Sequence, residues 1–169
     1  RWFDYALVKI LAARLPGLEF VLIGVDYDRT LPESGILDLP NVHWLGRKEY
    51  RELPDYVQRF DVGMIPFVVD EITRAASPIK MYEYFAAGVP VVSPPLPETL
   101  QFSRVLTAET PEAWAAQLDA GLSLAEDPRA VEELKALGRE NSWSARAEQI
   151  LQEMEIPGPR REVDQRRNQ

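Results

Sequence analysis

The sequence predicts an α/β fold: a doubly wound parallel sheet with helices on both faces. Three observations carry that expectation. Short apolar runs alternate along the chain with segments whose apolar residues recur every three or four positions, the pattern of strand followed by helix. The runs are apolar at nearly every residue, as strands buried on both faces must be, and most stop at a Gly or a Pro. Length and composition agree, because 169 residues with 46% hydrophobic and 27% charged side chains suit one globular domain that can bury its own core.

The elements follow in order. Phe3, Ala6, Leu7, Ile10, Leu11 and Leu15 set a helical period from Trp2 to Leu15, ended by Pro16-Gly17. Phe20 to Ile23 is a buried strand stopping at Gly24, and a polar loop with Asp26, Asp28, Pro32 and Gly35 leads to Pro40-Asn41. Val42 to Leu45 is a second strand ending at Gly46. Leu53 to Phe60 reads as a short helix with Pro54 in its first turn. Val62 to Ile65 is a third strand, stopped by Pro66, and a loop spans Pro66 to Ala76. A helix over Ile79 to Ala87 is closed by Gly88, and Val89 to Ser93 is the fourth strand. Arg104 to Thr107 reads as a fifth, followed by helices near 112–124, 129–137 and 145–154. Trp2, Trp114 and Trp143 fall on helical faces and are expected in the core or between helices. Residues 1–156 form the folded domain, and 157–169 are expected to be a disordered Arg-rich tail.

Composition removes several chemistries. There are no cysteines, hence no disulfides, thiolate metal sites or Cys nucleophiles, and one histidine, His43, cannot build a multi-His metal centre. The net charge of −8 argues against nucleic acid or an anionic membrane as the general partner. No apolar run approaches the roughly 18 residues of a membrane span. The start at Arg1-Trp2-Phe3-Asp4 lacks Met and the order of a secretion signal, and reads as a truncated fragment. A cytoplasmic location, at most peripheral at the inner face of the membrane, is expected.

In a doubly wound sheet, ligands bind beyond the carboxyl ends of the strands, here just after Ile23, Leu45, Ile65 and Val92. The densest segment near that edge is "SPIKMYEYFAAGVPVVSPPLPE", residues 77–98. Ser77 suits an N-cap and Pro78 the first helical position, leaving the N–H groups of Ile79, Lys80 and Met81 pointing out of the helix start. The macrodipole favours an anion there and disfavours a cation, so Lys80 in the first turn is explained by a negatively charged ligand. Glu83 shares a face with Lys80 and could accept from a ribose diol. The alternative is a capped helix with an i,i+3 Lys–Glu pair worth a few tenths of a kcal/mol. Asp26 and Asp28 read as a solvated loop, His43 as a strand side chain, and Tyr82 and Phe85 as core.

At these residues the sequence resembles a known family. "NVHWLG" followed by Arg47, "LPDYVQRFDVGMIPF" and "SPIKMYEYFAAGVPVVS" occur in the order found in the C-terminal, donor-binding half of bacterial GT-B-type retaining glycosyltransferases (family 4, group 1-like), which have two Rossmann-like domains. The resemblance spans about residues 1–155. It implies that Glu83 holds the ribose hydroxyls and that Ser77, Pro78, Ile79 and Lys80 surround the diphosphate. It also implies that Trp44, Leu45, Gly46 and Arg47 cradle the base and that Gly24 passes close to the nucleotide. Pro66-Phe67, at the start of the long loop, could line the donor pocket or simply end the strand. Lys80 is the implied catalytic group, stabilising the leaving diphosphate, with no metal and no cofactor. Two features depart from the family pattern. Ala75 stands where the family has the first glutamate of its Glu-x7-Glu motif, with Asp70 and Glu71 as the nearest substitutes. Nothing in the sequence reads as the acceptor domain or as the first strand of the Rossmann-like sheet, which is expected before Trp2.

The resemblance therefore implies the nucleotide-sugar-binding domain of a glycosyltransferase that moves a sugar from a nucleoside diphosphate sugar to a glycan or lipid-linked acceptor. The chain alone is expected to be inactive without its N-terminal acceptor-binding domain, through which any membrane contact would be made. The alternative is a non-catalytic nucleotide- or protein-binding module of the same fold. A sugar-nucleotide epimerase of related architecture is a third possibility.

Overall fold

The computed structural model describes residues 2–27 and 29–154, so the expected tail at 157–169 and the reading of Asp28 lie outside the described residues. Among the described residues five strands and seven α-helices follow one another, in the expected order except for α3: α1 (Tyr5–Arg14), β1 (Phe20–Leu22), β2 (Val42–Trp44), α2 (Leu53–Val57), β3 (Gly63–Met64), α3 (Glu71–Arg74), α4 (Ile79–Ala87), β4 (Val91–Ser93), β5 (Val105–Thr107), α5 (Pro111–Ala125), α6 (Pro128–Glu140) and α7 (Trp143–Glu153). All strand pairs are parallel, with Phe20 opposite Val42, Gly63 opposite Val91, and Val91 opposite Val105.

Val91 and Val92 show why both faces of the sheet must be covered. Both are 0% exposed, and as neighbours on a strand they point to opposite faces. Val91 joins Met81, Phe85 and Leu134, the α4–α6 side, while Val92 joins Leu11, Trp114 and Leu118, the α1–α5 side. Two apolar layers on one strand make it unbroken in apolar character, as the sequence has it. α6 lies against α4 so closely that a Cβ on Gly138 would come within 2.5 Å of the Ala86 nitrogen.

The strands form two ladders, β2–β1 and β3–β4–β5, which share no ladder hydrogen bonds among the described residues. The facing edges of β1 and β3 instead wall a cleft of about 620 Å³.

Several boundaries differ from expectation. The first helix begins at Tyr5, not Trp2, because Asp4 caps it by accepting from the Leu7 N–H at 2.9 Å. Residues 2–4 run extended against the end of β3 instead: Asp4 N–H donates to Pro66 O at 2.7 Å and Val68 N–H to Trp2 O at 2.8 Å. The expected loop 66–76 contains α3, whose capping box joins Asp70 to Thr73 in both directions at 2.8 Å. Trp114 is buried as expected. Trp143 is not: it is 78% exposed, as the first residue of a helix with no buried residue at all. Trp2 is half exposed, with its ring edge-on to Phe67. The Asn41 turn does more than reverse the chain. Its buried amide donates to Ala12 O, Leu15 O and Leu18 O at 3.0, 3.2 and 2.9 Å, closing the carboxyl end of α1.

Candidate functional site

The carboxyl ends of β1 and β2 are tied to each other past their last strand residues. Leu45 N–H donates to Leu22 O at 2.9 Å, Gly24 N–H to Gly46 O at 3.0 Å, and the Trp44 indole N–H to Gly24 O at 3.1 Å. Gly24 has φ +150° and Gly46 φ +66°, and an added Cβ would meet nothing within 4 Å at either. Backbone conformation rather than crowding therefore selects glycine at both. Trp44 and Leu45 stay partly exposed, at 42% and 39%, and Arg47 is exposed beside them, so this rim presents an aromatic ring, an aliphatic side chain and a cation to solvent.

The opening of α4 lies on the other side of the cleft. Pro78, with ψ 99°, is the N-cap, one position later than expected, and no side chain caps the helix. Met81 N–H is spent on Pro78 O at 2.9 Å, so the outward-pointing donors are those of Ile79 and Lys80 rather than all three. Ser77, expected to be the cap, donates its hydroxyl to Glu98 at 3.1 Å. Lys80 Nζ meets Glu83 Oε2 at 2.8 Å, so the i,i+3 pair of the alternative reading is present. A pair this exposed on the lysine side contributes little to stability. Ile79 is 56% exposed at the helix opening, an apolar side chain with no core to fill.

One cleft gathers part of the expected set. Gly24, Trp44, Pro66 and Lys80 all line it, with Ile65 and Tyr84 between them. Leu45, Gly46 and Arg47 adjoin it through Trp44. Ser77, Pro78, Ile79 and Glu83 lie outside its wall, around the mouth of α4. Burial, with Glu83 nearby, pushes the Tyr84 hydroxyl up to about 12, so it stays neutral. Ala75 ends α3 and brings no carboxylate. Asp70, one of its two candidate substitutes, is engaged as the α3 cap, and the Thr73 backbone N–H holds its carboxyl below the usual range. Asp26 accepts from the Thr30 and Leu31 N–H groups at 3.2 Å, which is loop structure, and His43 pairs with Glu19 at 2.5 Å on the exposed side of β2. Among the described residues no group of three acidic or imidazole side chains could hold a metal ion, and no helix is long and apolar enough to cross a membrane.

Sequence reasoning missed Glu98. It lies 21 residues from Ser77 and 16 from Tyr82, and it accepts from both hydroxyls. No local pattern signals such a contact. It missed Tyr84 for a different reason: the helical period assigns Tyr84 to the inner face, where it packs over Gly63 while also reaching the cleft.

Comparison with known proteins bears on these residues. The family described as glycosyl transferases group 1 matches residues 1–123, the stretch from α1 through most of α5. A protein of Bacillus subtilis (strain 168), assigned in name to teichuronic acid biosynthesis as the glycosyltransferase TuaH, is 29% identical over 154 residues. That alignment covers 88% of this chain and 39% of the relative, so the chain spans about two fifths of the protein it matches.

Proposed function

The chain belongs to the group 1 glycosyl transferases, and from that membership we propose that it binds the nucleoside diphosphate sugar from which the enzyme transfers a sugar. One observation carries this: Lys80, at the amino end of α4, walls the same cleft as Gly24, Trp44 and Pro66. The N–H groups of Ile79 and Lys80 would meet the diphosphate, together with the Lys80 ammonium. As the bond to the sugar breaks, negative charge grows on the leaving diphosphate. Fixed donors aimed at it lower the barrier without reorganising. Lys80 is the catalytic residue on this proposal because it touches that charge. Glu83 would exchange Lys80 for the ribose diol, and the rim of Trp44, Leu45, Gly46 and Arg47 would hold the base. Ser77 and Pro78 would border the phosphates.

The sugar acceptor would be a glycan or lipid-linked, bound on a further domain with which this one shares the reaction. On this account the protein works in the cytoplasm, and any membrane contact belongs to the acceptor side. A strand lying between β1 and β3 would join the two ladders in the strand order of a doubly wound nucleotide-binding sheet; it would fill the cleft between the strands and leave the mouth at Gly24, Trp44, Pro66 and Lys80 to the nucleotide.

Ala75 favours a second reading, a module that binds a nucleotide or a protein without transfer, because no carboxylate stands at that position to hold a donor sugar. Calorimetric titration with UDP, GDP and ADP and their sugars tests the proposal. Saturable binding of at least one supports it, and no heat from any of them at millimolar concentration rejects it. Release of free nucleoside diphosphate from the matching sugar, with product carrying the sugar, then separates transfer from binding.

A further inference from the structure

α4 opens without a side-chain cap, yet its first turn is held from outside. Counting from the N-cap Pro78, Ser77 is the residue before the cap and Tyr82 is the fourth helical residue. In many helices an apolar contact between those two positions fixes the angle at which the chain enters. Here both carry hydroxyls, and both donate to the same oxygen, Oε1 of Glu98, Ser77 at 3.1 Å. The other oxygen of Glu98 accepts from the Gln101 amide at 3.4 Å.

Glu98 itself stands on a stiff support. Thr99 is fully buried, and its hydroxyl oxygen accepts from the Leu96 N–H at 3.0 Å while lying 3.1 Å from the Pro94 carbonyl. The proline-rich turn after β4 is thereby locked to the strand. On the far side, the Arg146 guanidinium of α7 lies 4.5 Å from the centre of the Tyr82 ring. Burial and the bond to Glu98 raise the Tyr82 hydroxyl above its ordinary value, which keeps it a donor.

We propose that Glu98 is a positioning residue for the nucleotide site. It staples the two flanks of the α4 opening so that the Ile79 and Lys80 N–H groups hold a fixed direction toward the ligand. The proposal rests on the binding role given to α4 above and adds the residue that orients it. Glu98 touches no ligand. It acts through Ser77 and Tyr82, and it must accept two hydrogen bonds but need not be charged. A glutamine, whose carbonyl oxygen also accepts two, should replace it.

The test compares Glu98→Ala with Glu98→Gln in the full chain, with two readouts. Without any ligand, amide exchange at Met81, bonded to Pro78 O, should quicken about tenfold in Glu98→Ala and stay near wild type in Glu98→Gln. Exchange at Ile65, bonded to Val92 O in the sheet, should not change in either. With UDP, GDP or ADP, whichever the wild type binds, affinity should fall about tenfold in Glu98→Ala and recover in Glu98→Gln. Unchanged Met81 exchange, equal acceleration at Ile65, or no recovery with glutamine would each overturn the proposal. If Glu98→Ala does not fold, Ser77→Ala breaks the same staple from the other side and should quicken Met81 likewise; no change there is again fatal. A wild type that binds none of the three nucleotides would reject the binding role, while the exchange measurements still decide whether the staple exists.

Discussion

Gly24 donates its backbone N–H to the carbonyl of Gly46 across 3.0 Å, each glycine two residues beyond the last ladder pair of β1 and β2. The two glycines extend the pairing exactly where the strands must turn away from each other, and each adopts a φ that side chains avoid. This bond fixes the shape of the rim that carries Trp44 and Arg47. Gly46→Ala adds a methyl that collides with nothing, so its cost is conformational alone, about 1–2 kcal/mol in urea unfolding. A larger loss would mean that the site is crowded in a way the geometry does not show. On the proposed function, nucleotide affinity should fall with it.

Gly138 makes the opposite case. Its φ is helical and its methyl has no room, since Ala86 backbone atoms lie 2.5 and 2.6 Å from the added Cβ. Backbone cannot step aside as a side-chain tip can. Gly138→Ala should therefore separate α6 from α4 and cost about 1–3 kcal/mol, read as a lower thermal midpoint. Gly121→Ala, whose nearest neighbours are the Val62 methyls at 3.0 and 3.1 Å, should cost less. The reverse order would show that the α4–α6 contact is softer than it looks.

Asn41 is 6% exposed and satisfies three carbonyls at the end of α1. Asn41→Ala orphans the Ala12 and Leu18 carbonyls in a place water reaches poorly, while Leu15 O keeps its bond from the Leu18 N–H, and hydrogen-bond energetics put the loss at about 1–3 kcal/mol. Asn41→Asp should be no better, because a carboxylate has no N–H to donate. Chemical denaturation of the two variants checks this, and a stable Asp variant would contradict the donor assignment.

How far the chain could be read from its letters follows from the range of the forces involved. The strands were legible because burial on two faces writes itself locally, as Val91 and Val92 do. The start of α1 was mistaken because Trp2 and Phe3 extend the helical spacing, although Asp4, three residues before Leu7, is an N-cap signal that would have corrected it. α3 escaped because four residues carry no period, and its Asp70-Thr73 box uses Thr where Glu or Gln is the usual mark. The division of the sheet into two ladders, and the hold of Glu98 on Ser77, depend on partners about twenty residues or more away. Lys80 and Glu83 were found because an i,i+3 face is a local fact. Whether they meet a ligand is not.

The Lys80–Glu83 pair itself yields a prediction about selectivity. At 2.8 Å the carboxylate neutralises the ammonium that the diphosphate would use. A ligand that brings only phosphates must displace Glu83 and leave it without a partner, whereas a nucleoside diphosphate returns a ribose diol to it. The wild type should therefore prefer a nucleoside diphosphate to inorganic pyrophosphate by more than base contacts alone supply. Glu83→Ala removes both the competitor and the diol acceptor. It should bind pyrophosphate more tightly than wild type and the nucleoside diphosphate more weakly, about tenfold for the lost charged hydrogen bonds. Lys80→Ala should weaken both ligands, and in the complete enzyme lower turnover about tenfold or more if the ammonium serves the charge on the leaving group. Competition titrations against one nucleotide compare all three proteins directly. If Glu83→Ala weakens pyrophosphate and nucleotide alike, the carboxylate is part of the fold of α4 rather than a gate on its lysine.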